Sequence, residues 1–395
     1  MVTYRLTILP GDGTGPEVTR EAEKLLDVIE AGSPLTFERT TIQCGGQYWM
    51  ETGEEWPKGS FEHCRDESDA ILLGAIGWPG AELPNGDIAG GQVILGLRSG
   101  LDLYANVRPI KLYGGVRHKI HDEFTQVWSP DKVDMVVLRE NTEGLYHSLL
   151  RRSANRLMNG RVSEDPEMDF DGISGEVAWD PRPISRAGSE RLVRLGFDYA
   201  QRRNGAPKDG ISRVTCVDKS NVTRGCQLFR KVFNEISEEF PDIANEAAFI
   251  DAFTMWMIRN PEWFDVIVTT NMFGDIATDL GSVLQGGMGM AASGNIGDEH
   301  GLFEPVHGSS PKHAGKGIVN PIATLNSVQL MLEWLGMKRD DDDALAASDI
   351  IERAITDQLL SGDELTYDLG GTASTSQVGD SIVTRVRTLL AEHYS

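Results

Sequence analysis

Short apolar, β-branched runs alternate with longer amphipathic stretches along most of this chain. Strand-like runs occupy residues 5–9, 70–73, 135–138, 214–217 and 266–269, and helix-period stretches occupy 16–29, 225–238 and 275–284. A strand followed by a helix must cross back over the sheet before the next strand, so the pattern predicts an α/β fold with a largely parallel sheet. Residues 147–183, with Ser163-Glu-Asp-Pro-Glu-Met-Asp-Phe-Asp-Gly172 in their middle, are polar and turn-rich. They predict an extended arm or exposed loop leaving the core.

At 395 residues the chain can build two domains and a substantial core. Its formal net charge of -23 argues against nucleic acid or an anionic membrane as the main partner, since both require basic surface. The four cysteines, Cys44, Cys64, Cys216 and Cys226, form no C-x-x-C pair, which predicts reduced thiols rather than a zinc knuckle or disulfide framework. No run approaches the ~20 apolar residues of a spanning helix, and the first residues hold no signal-type apolar stretch. A cytoplasmic location is therefore expected.

The segment Asn271-Met-Phe-Gly-Asp275-Ile-Ala-Thr-Asp279 places two carboxylates four residues apart, on one face of a helix, with Asp251 upstream as a third. Oxygen-only ligands suit a hard octahedral cation, Mg2+ or Mn2+. The competing explanation is a helix N-terminus carrying acids for the macrodipole. Arg98, Arg108 and Arg139 each stand in a distinctive setting, and a cluster of such planar forks would suit a substrate with more than one carboxylate. Taken singly, each such arginine is more often a surface ion-pair partner. Lys219 directly follows a strand-like run, where a neighbouring cation could lower its pKa enough for proton exchange, and Tyr146 lies downstream of Arg139.

Near the start, Gly11-Asp-Gly-Thr-Gly15-Pro16-Glu17 opens a helix after a strand but is not a dinucleotide fingerprint, because Pro16 stands where the third glycine would fall. A second glycine-rich segment runs from Glu304 through His307, Gly308, Ser309, Lys312 and His313 to Asn320, and its backbone donors and side chains could wrap a nucleotide.

Together these stretches resemble the β-decarboxylating dehydrogenases, the family of 3-isopropylmalate, isocitrate, homoisocitrate and tartrate dehydrogenases. The resemblance spans nearly the whole chain. Its ordered elements are the Gly11 to Glu17 turn, Leu97-Arg98 with Asp102-Leu-Tyr-Ala-Asn-Val-Arg-Pro109, Arg139-Glu-Asn-Thr-Glu-Gly-Leu-Tyr146, Asp218-Lys-Ser-Asn-Val222, the Asn271 to Asp279 helix, the Glu304 to Asn320 loop, and Asp368-Leu-Gly-Gly-Thr372.

The resemblance implies an isopropylmalate dehydrogenase-like two-domain α/β fold with non-Rossmann dinucleotide binding. Residues 1–104 and 286–395 would form the cofactor-binding domain, and 105–285 the substrate and dimerisation domain with its arm at about 147–183. It further implies a homodimer, or a higher oligomer, whose active sites are shared between subunits. Arg98, Arg108 and Arg139 would hold the malate carboxylates, and Asp275 and Asp279 would bind the metal with Asp251 of the partner subunit. Lys219 of the partner subunit would take the hydroxyl proton, hydride would pass from C2 to the nicotinamide, and Tyr146 would protonate the carbon left when CO2 departs.

In this family the helix ending in Arg98 reads the γ-substituent. Its side chains Ile94 and Leu95 are apolar, and Val222, next to Asn221, matches the partner residue that completes a hydrophobic pocket. Burying an isopropyl group there gains about 0.8 kcal/mol per CH2, whereas an unpaired carboxylate is penalised. 3-Isopropylmalate is thus the leading expectation. Gly91 stands where isopropylmalate enzymes carry a glutamate, and the Arg-Glu-Asn-Thr-Glu-Gly wording is nearer to other members, which keeps tartrate or malate, isocitrate and homoisocitrate as alternatives. For the cofactor, Lys312 replaces the acid typical of NAD-dependent members, and Tyr367 aligns with a 2'-phosphate ligand of NADP-dependent ones, while Gly371 lacks their arginine. NADP is favoured over NAD. A catalytically silent regulatory subunit is the rival from another class, and the retained aspartates, Tyr146 and Lys219 argue against it.

Overall fold

Ten strands form one continuous mixed sheet in the computed structural model, which describes residues 2–84, 86–146, 161–163, 169–170, 173–174 and 177–395. The strands are β1 (Val2–Gly11), β2 (Leu35–Thr41), β3 (Ala70–Ala75), β4 (Ala105–Lys111), β5 (Asp134–Glu140), β6 (Arg213–Asp218), β7 (Ala244–Phe249), β8 (Val266–Thr269), β9 (Ala292–Ile296) and β10 (Gly301–Pro305). Their spatial order is β7-β6-β8-β5-β4-β9-β10-β3-β1-β2.

The expected parallel pairing holds in both flanks but fails at the seam between them. β7-β6-β8-β5 and β10-β3-β1-β2 pair in parallel, whereas β4 runs antiparallel to β5 and β9, and β9 antiparallel to β10. The reason is local: residues 297–300 close β9 onto β10 through a turn in which Gly297 N donates to His300 O, too short for a crossover helix.

The helices used below are α1 (Gly15–Gly32), α2 (Gly91–Gly100), α3 (Arg186–Arg202), α4 (Arg224–Ser237), α5 (Ile250–Arg259), α6 (Asn271–Leu284) and α7 (Ile322–Arg339). α1 starts with Pro16 in its first turn and buries Val18, Ala22, Leu25, Leu26 and Ile29, a helical spacing that turns one face to the core. α7 is buried nearly all round because it packs across β3, β9 and β10. Val93 and Leu97, one turn apart on α2, are fully buried in a second apolar cluster with Leu9, Leu73 and Leu302. At about 1.5–3 kcal/mol for each such side chain, they anchor the helix that carries Ile94, Leu95 and Arg98.

The excursion expected over 147–183 lies largely outside the described residues. Within it, Arg161–Ser163 pairs antiparallel with Val177–Trp179, and Asp169–Phe170 with Ile173–Ser174. Among the described residues no helix is long and apolar enough to cross a membrane.

Candidate active site

Strand register assembles the site. Asn295 on β9 stands opposite Asn106 on β4, which stands opposite Arg139 on β5. Side chains two residues apart share a face, so Arg108 joins Asn106 and Arg139 on one side of the sheet. α6 lies over that face. Gly274 permits the close approach: a Cβ there would stand 2.6 Å from the Arg139 Cβ.

α6 begins at Asn271, four residues earlier than its periodicity predicts, so Asp275 sits more than a turn inside the helix and its first turn holds no acid. The macrodipole explanation therefore does not apply to this pair. Asp275 Oδ1 is ion-paired with Arg139 Nη1 and lies 3.7 Å from Arg108 Nη2, while Asp279 Oδ1 lies 3.6 Å from Arg108 Nη1. Arg139 also donates to Asn271 Oδ1, from Nε at 3.1 Å and Nη2 at 2.7 Å. Arg108 donates to Thr278 Oγ1 at 2.5 Å. The Tyr146 hydroxyl donates to Asp275 Oδ2 at 3.1 Å.

The electrostatics are those of a site short of negative charge. Burial, with Arg108 and Arg98 nearby, pulls Arg139 down to about 9, and burial likewise lowers Arg108. Burial, then Asp275, raises the Tyr146 phenol and keeps it protonated. Burial also raises Asp279, with Arg108 opposing. Carboxylates delivered by a ligand would favour the charged forms of Arg108 and Arg139.

Arg98, buried on α2, donates from Nη2 to Glu304 Oε1 at 2.9 Å. Glu304, expected at the start of the cofactor loop, is thus paired with a predicted substrate arginine. Ile94 and Leu95 are half-buried beside Arg98, and nothing lies within 4 Å of where a Cβ on Gly91 would stand.

Lys219 and Asp251 are brought to each other and not to Asp275 and Asp279: Lys219 Nζ lies 2.6 Å from Asp251 Oδ1. Asn221 and Val222 are exposed beyond Lys219. Among the described residues no group of three His, Cys, Asp or Glu side chains is placed to hold a metal. Asp275 and Asp279 nonetheless fit Mg2+ or Mn2+ as hard oxygen donors one helical turn apart.

The second glycine-rich segment folds against the first. Ser309 O accepts from Thr14 N at 2.8 Å, and the Glu17 carboxylate takes Gly315 N and, at 2.9 Å, Gly317 N. Buried Asp12 accepts from Gly46, Gln47 and Gly77 amides, each at 2.8 Å. The Gly11 to Glu17 turn is thus a clamp for the 307–320 loop, a role that its glycines did not advertise. The His313 and Tyr367 rings stack at 5.7 Å with 18° between planes, which brings Tyr367 to the Lys312-His313 pair. Asn320 donates to Asp368 Oδ2 at 3.1 Å. The loop fits a dinucleotide: the Cβ positions of Gly308, Gly315 and Gly317 are open, and His307 Nε2 is buried with no partner.

The fold and this clustering of buried arginines describe a cleft suited to a ligand that carries carboxylates. The chain belongs to the isocitrate/isopropylmalate dehydrogenase family, whose pattern it matches over residues 5–382. It is 39% identical to a 3-isopropylmalate dehydrogenase of Thermobifida fusca (strain YX) over 97% of this chain and 98% of that one. It is 38% identical to a homoisocitrate dehydrogenase of Methanocaldococcus jannaschii over 97% and 98%. The crystal structure of isocitrate dehydrogenase from Methylococcus capsulatus superposes with a TM-score of 0.78 at 33% identity, covering 97% of this chain and 99% of that one. The protein is accordingly a decarboxylating hydroxy-acid dehydrogenase, an oxidoreductase.

Proposed function

We propose that this enzyme oxidises and decarboxylates a 3-substituted malate, 3-isopropylmalate foremost, as a homodimer using Mg2+ or Mn2+ and NADP. The observation that carries this reading is the convergence of buried Arg98, Arg108 and Arg139 with Asp275 and Asp279 beside the apolar Ile94 and Leu95. The arginines bind the carboxylates, and Ile94 and Leu95, with Val222 of the partner subunit, receive the alkyl group. When bound, the cation supplies Lewis acidity and the nicotinamide a hydride acceptor. Lys219 of the partner subunit takes the hydroxyl proton, and Tyr146, held protonated, delivers one to the carbon that loses CO2.

The shared site is supported by a patch of exposed apolar side chains on neighbouring elements: Val222, Phe249, Met255 on α5, and Ile276 and Val283 on α6. α5 packs against both α6 and β7, the elements that with it carry four of these five side chains, and a second copy would cover them. On this reading residues 1–104 with 286–395 carry the cofactor and residues 105–285 the substrate and dimer contacts. Lys312 and Tyr367, the latter exposed beside stacked His313, favour the extra phosphate of NADP. The four cysteines are free and buried, in accord with a reducing cytoplasm.

The test is a panel of 3-isopropylmalate, isocitrate, homoisocitrate, tartrate and malate, each with NAD and NADP and Mn2+. The highest kcat/KM is expected for 3-isopropylmalate with NADP. A higher value for isocitrate would overturn the assignment of Ile94 and Leu95 as the wall of the γ-pocket.

A further inference from the structure

Asn295 lies in the middle of the sheet and is fully buried, a costly place for an amide unless its polar atoms are used. They are. Its Nδ2 donates to Glu304 Oε1 at 2.8 Å, and its Oδ1 accepts from Asn106 Nδ2 at 2.8 Å and Asn141 Nδ2 at 3.0 Å. Each partner leads to an arginine of the site. Glu304 Oε1 also takes Arg98 Nη2 at 2.9 Å. Asn106 precedes Arg108 by two residues on the same face of β4, and Asn141 follows Arg139 by two.

The arrangement crosses the seam of the sheet. Glu304 and Asn295 belong to β10 and β9, Asn106 to β4, and Asn141 to the turn after β5, while Arg98 comes from α2. Asn106 and Asn141 both turn their Nδ2 toward Asn295 and leave their own Oδ1 buried without a partner. Asn106 Nδ2 also donates to Ser293 Oγ at 2.7 Å and Asn141 Nδ2 to Leu103 O at 3.0 Å, so Asn295 is the acceptor these two amides share. Apolar side chains of matching shape would hold these strands together at least as firmly. They would not aim the Glu304 carboxylate, or through it the Arg98 guanidinium.

We propose that Asn295 is the positioning residue that fixes Arg98 relative to Arg108 and Arg139, and so sets the spacing at which the enzyme grips the two carboxylates of its substrate. This rests on the reading that these arginines hold the substrate. The pair Arg98 and Glu304 then serves substrate geometry rather than the cofactor.

The test exchanges the polarity of one hydrogen bond. Asn295→Asp keeps size but sets a carboxylate against Glu304, and adding Glu304→Gln restores the original charge and a donor between the two positions. With purified dimer, Asn295→Asp is expected to raise KM for 3-isopropylmalate by about tenfold, with kcat and the cofactor KM within about twofold, and the double variant to recover most of the loss. Should Asn295→Asp fail to fold, Asn295→Ser, which cannot reach all three partners, is read the same way. An unchanged substrate KM, a loss confined to cofactor KM or kcat, or no recovery in the double variant would overturn the proposal. Failure of the functional reading looks different: the unmodified enzyme itself would turn over no malate derivative.

Discussion

Lys219 and Asp251 form an ion pair, Nζ to Oδ1 at 2.6 Å, between the end of β6 and the start of α5. Each is therefore matched by the other within one chain, and neither joins Asp275 and Asp279. On the proposed reading the site uses all four and draws Lys219 and Asp251 from a second copy. Mixing a Lys219→Ala chain with an Asp279→Asn chain, each inactive alone, should then restore activity: random pairing into dimers leaves one intact site in half of them, roughly a quarter of the unmodified rate. Assay after co-refolding checks it, and no recovery would place both groups in a single-chain site.

Asp279 is half exposed and meets Arg108 only at 3.6 Å, so its carboxylate is not needed to hold α6. Asp279→Asn should leave the melting temperature nearly unchanged. Activity should fall by about a hundredfold or more, and the Mn2+ concentration for half-saturation should rise. An electron paramagnetic resonance titration of Mn2+ reads the second effect directly.

Arg139, pulled down to about 9, gives a pH dependence with a definite sign. Its cationic form binds a substrate carboxylate, and that carboxylate, once bound, holds the proton on. Affinity should be lost as pH rises through about 9 in the free enzyme, so kcat/KM falls there while kcat falls less. Profiles from pH 7 to 10 check this, and a kcat that falls in step would assign the loss to another group.

Lys312 and Tyr367 set the cofactor preference in this account. Replacing Lys312 with Asp should lower kcat/KM for NADP by about 10- to 100-fold and leave NAD as the better cofactor. An unchanged ratio would remove Lys312 from the 2'-phosphate site.

Glu17 holds the same loop from behind through Gly315 and Gly317. Glu17→Gln puts an amide donor against one of those N–H groups, so the cofactor KM should rise about 5- to 10-fold with the substrate KM unchanged. Dinucleotide titration by fluorescence quenching measures it.

How much of this was legible in the chain differs from residue to residue. Asp275 and Asp279 were, because four residues on a helix fix a shared face whatever surrounds it. Strands β1, β3, β5, β6 and β8 were too, since each carries its own apolar run, whereas the edge strands β2 and β7 are largely polar or small and gave no such signal. The antiparallel seam was not: β4, β9 and β10 mix Asn, Arg, Glu and Pro with apolar positions and give no clear period. Nor were the long-range pairs. Arg98 and Glu304 are 206 residues apart, and the packing of α2 on the sheet, Val93 and Leu97 against Leu302, brings them together. Asn295 carried no signal as a lone asparagine, and Glu17 was only the last residue of a glycine-rich strand-to-helix turn.

Metal-dependent loss of CO2 coupled to hydride transfer is read from reaction stoichiometry with 3-isopropylmalate as substrate. CO2 and reduced cofactor should form one for one, cease on exhaustive chelation, and return with Mn2+. Reduced cofactor without CO2, or a rate indifferent to chelation, would contradict it.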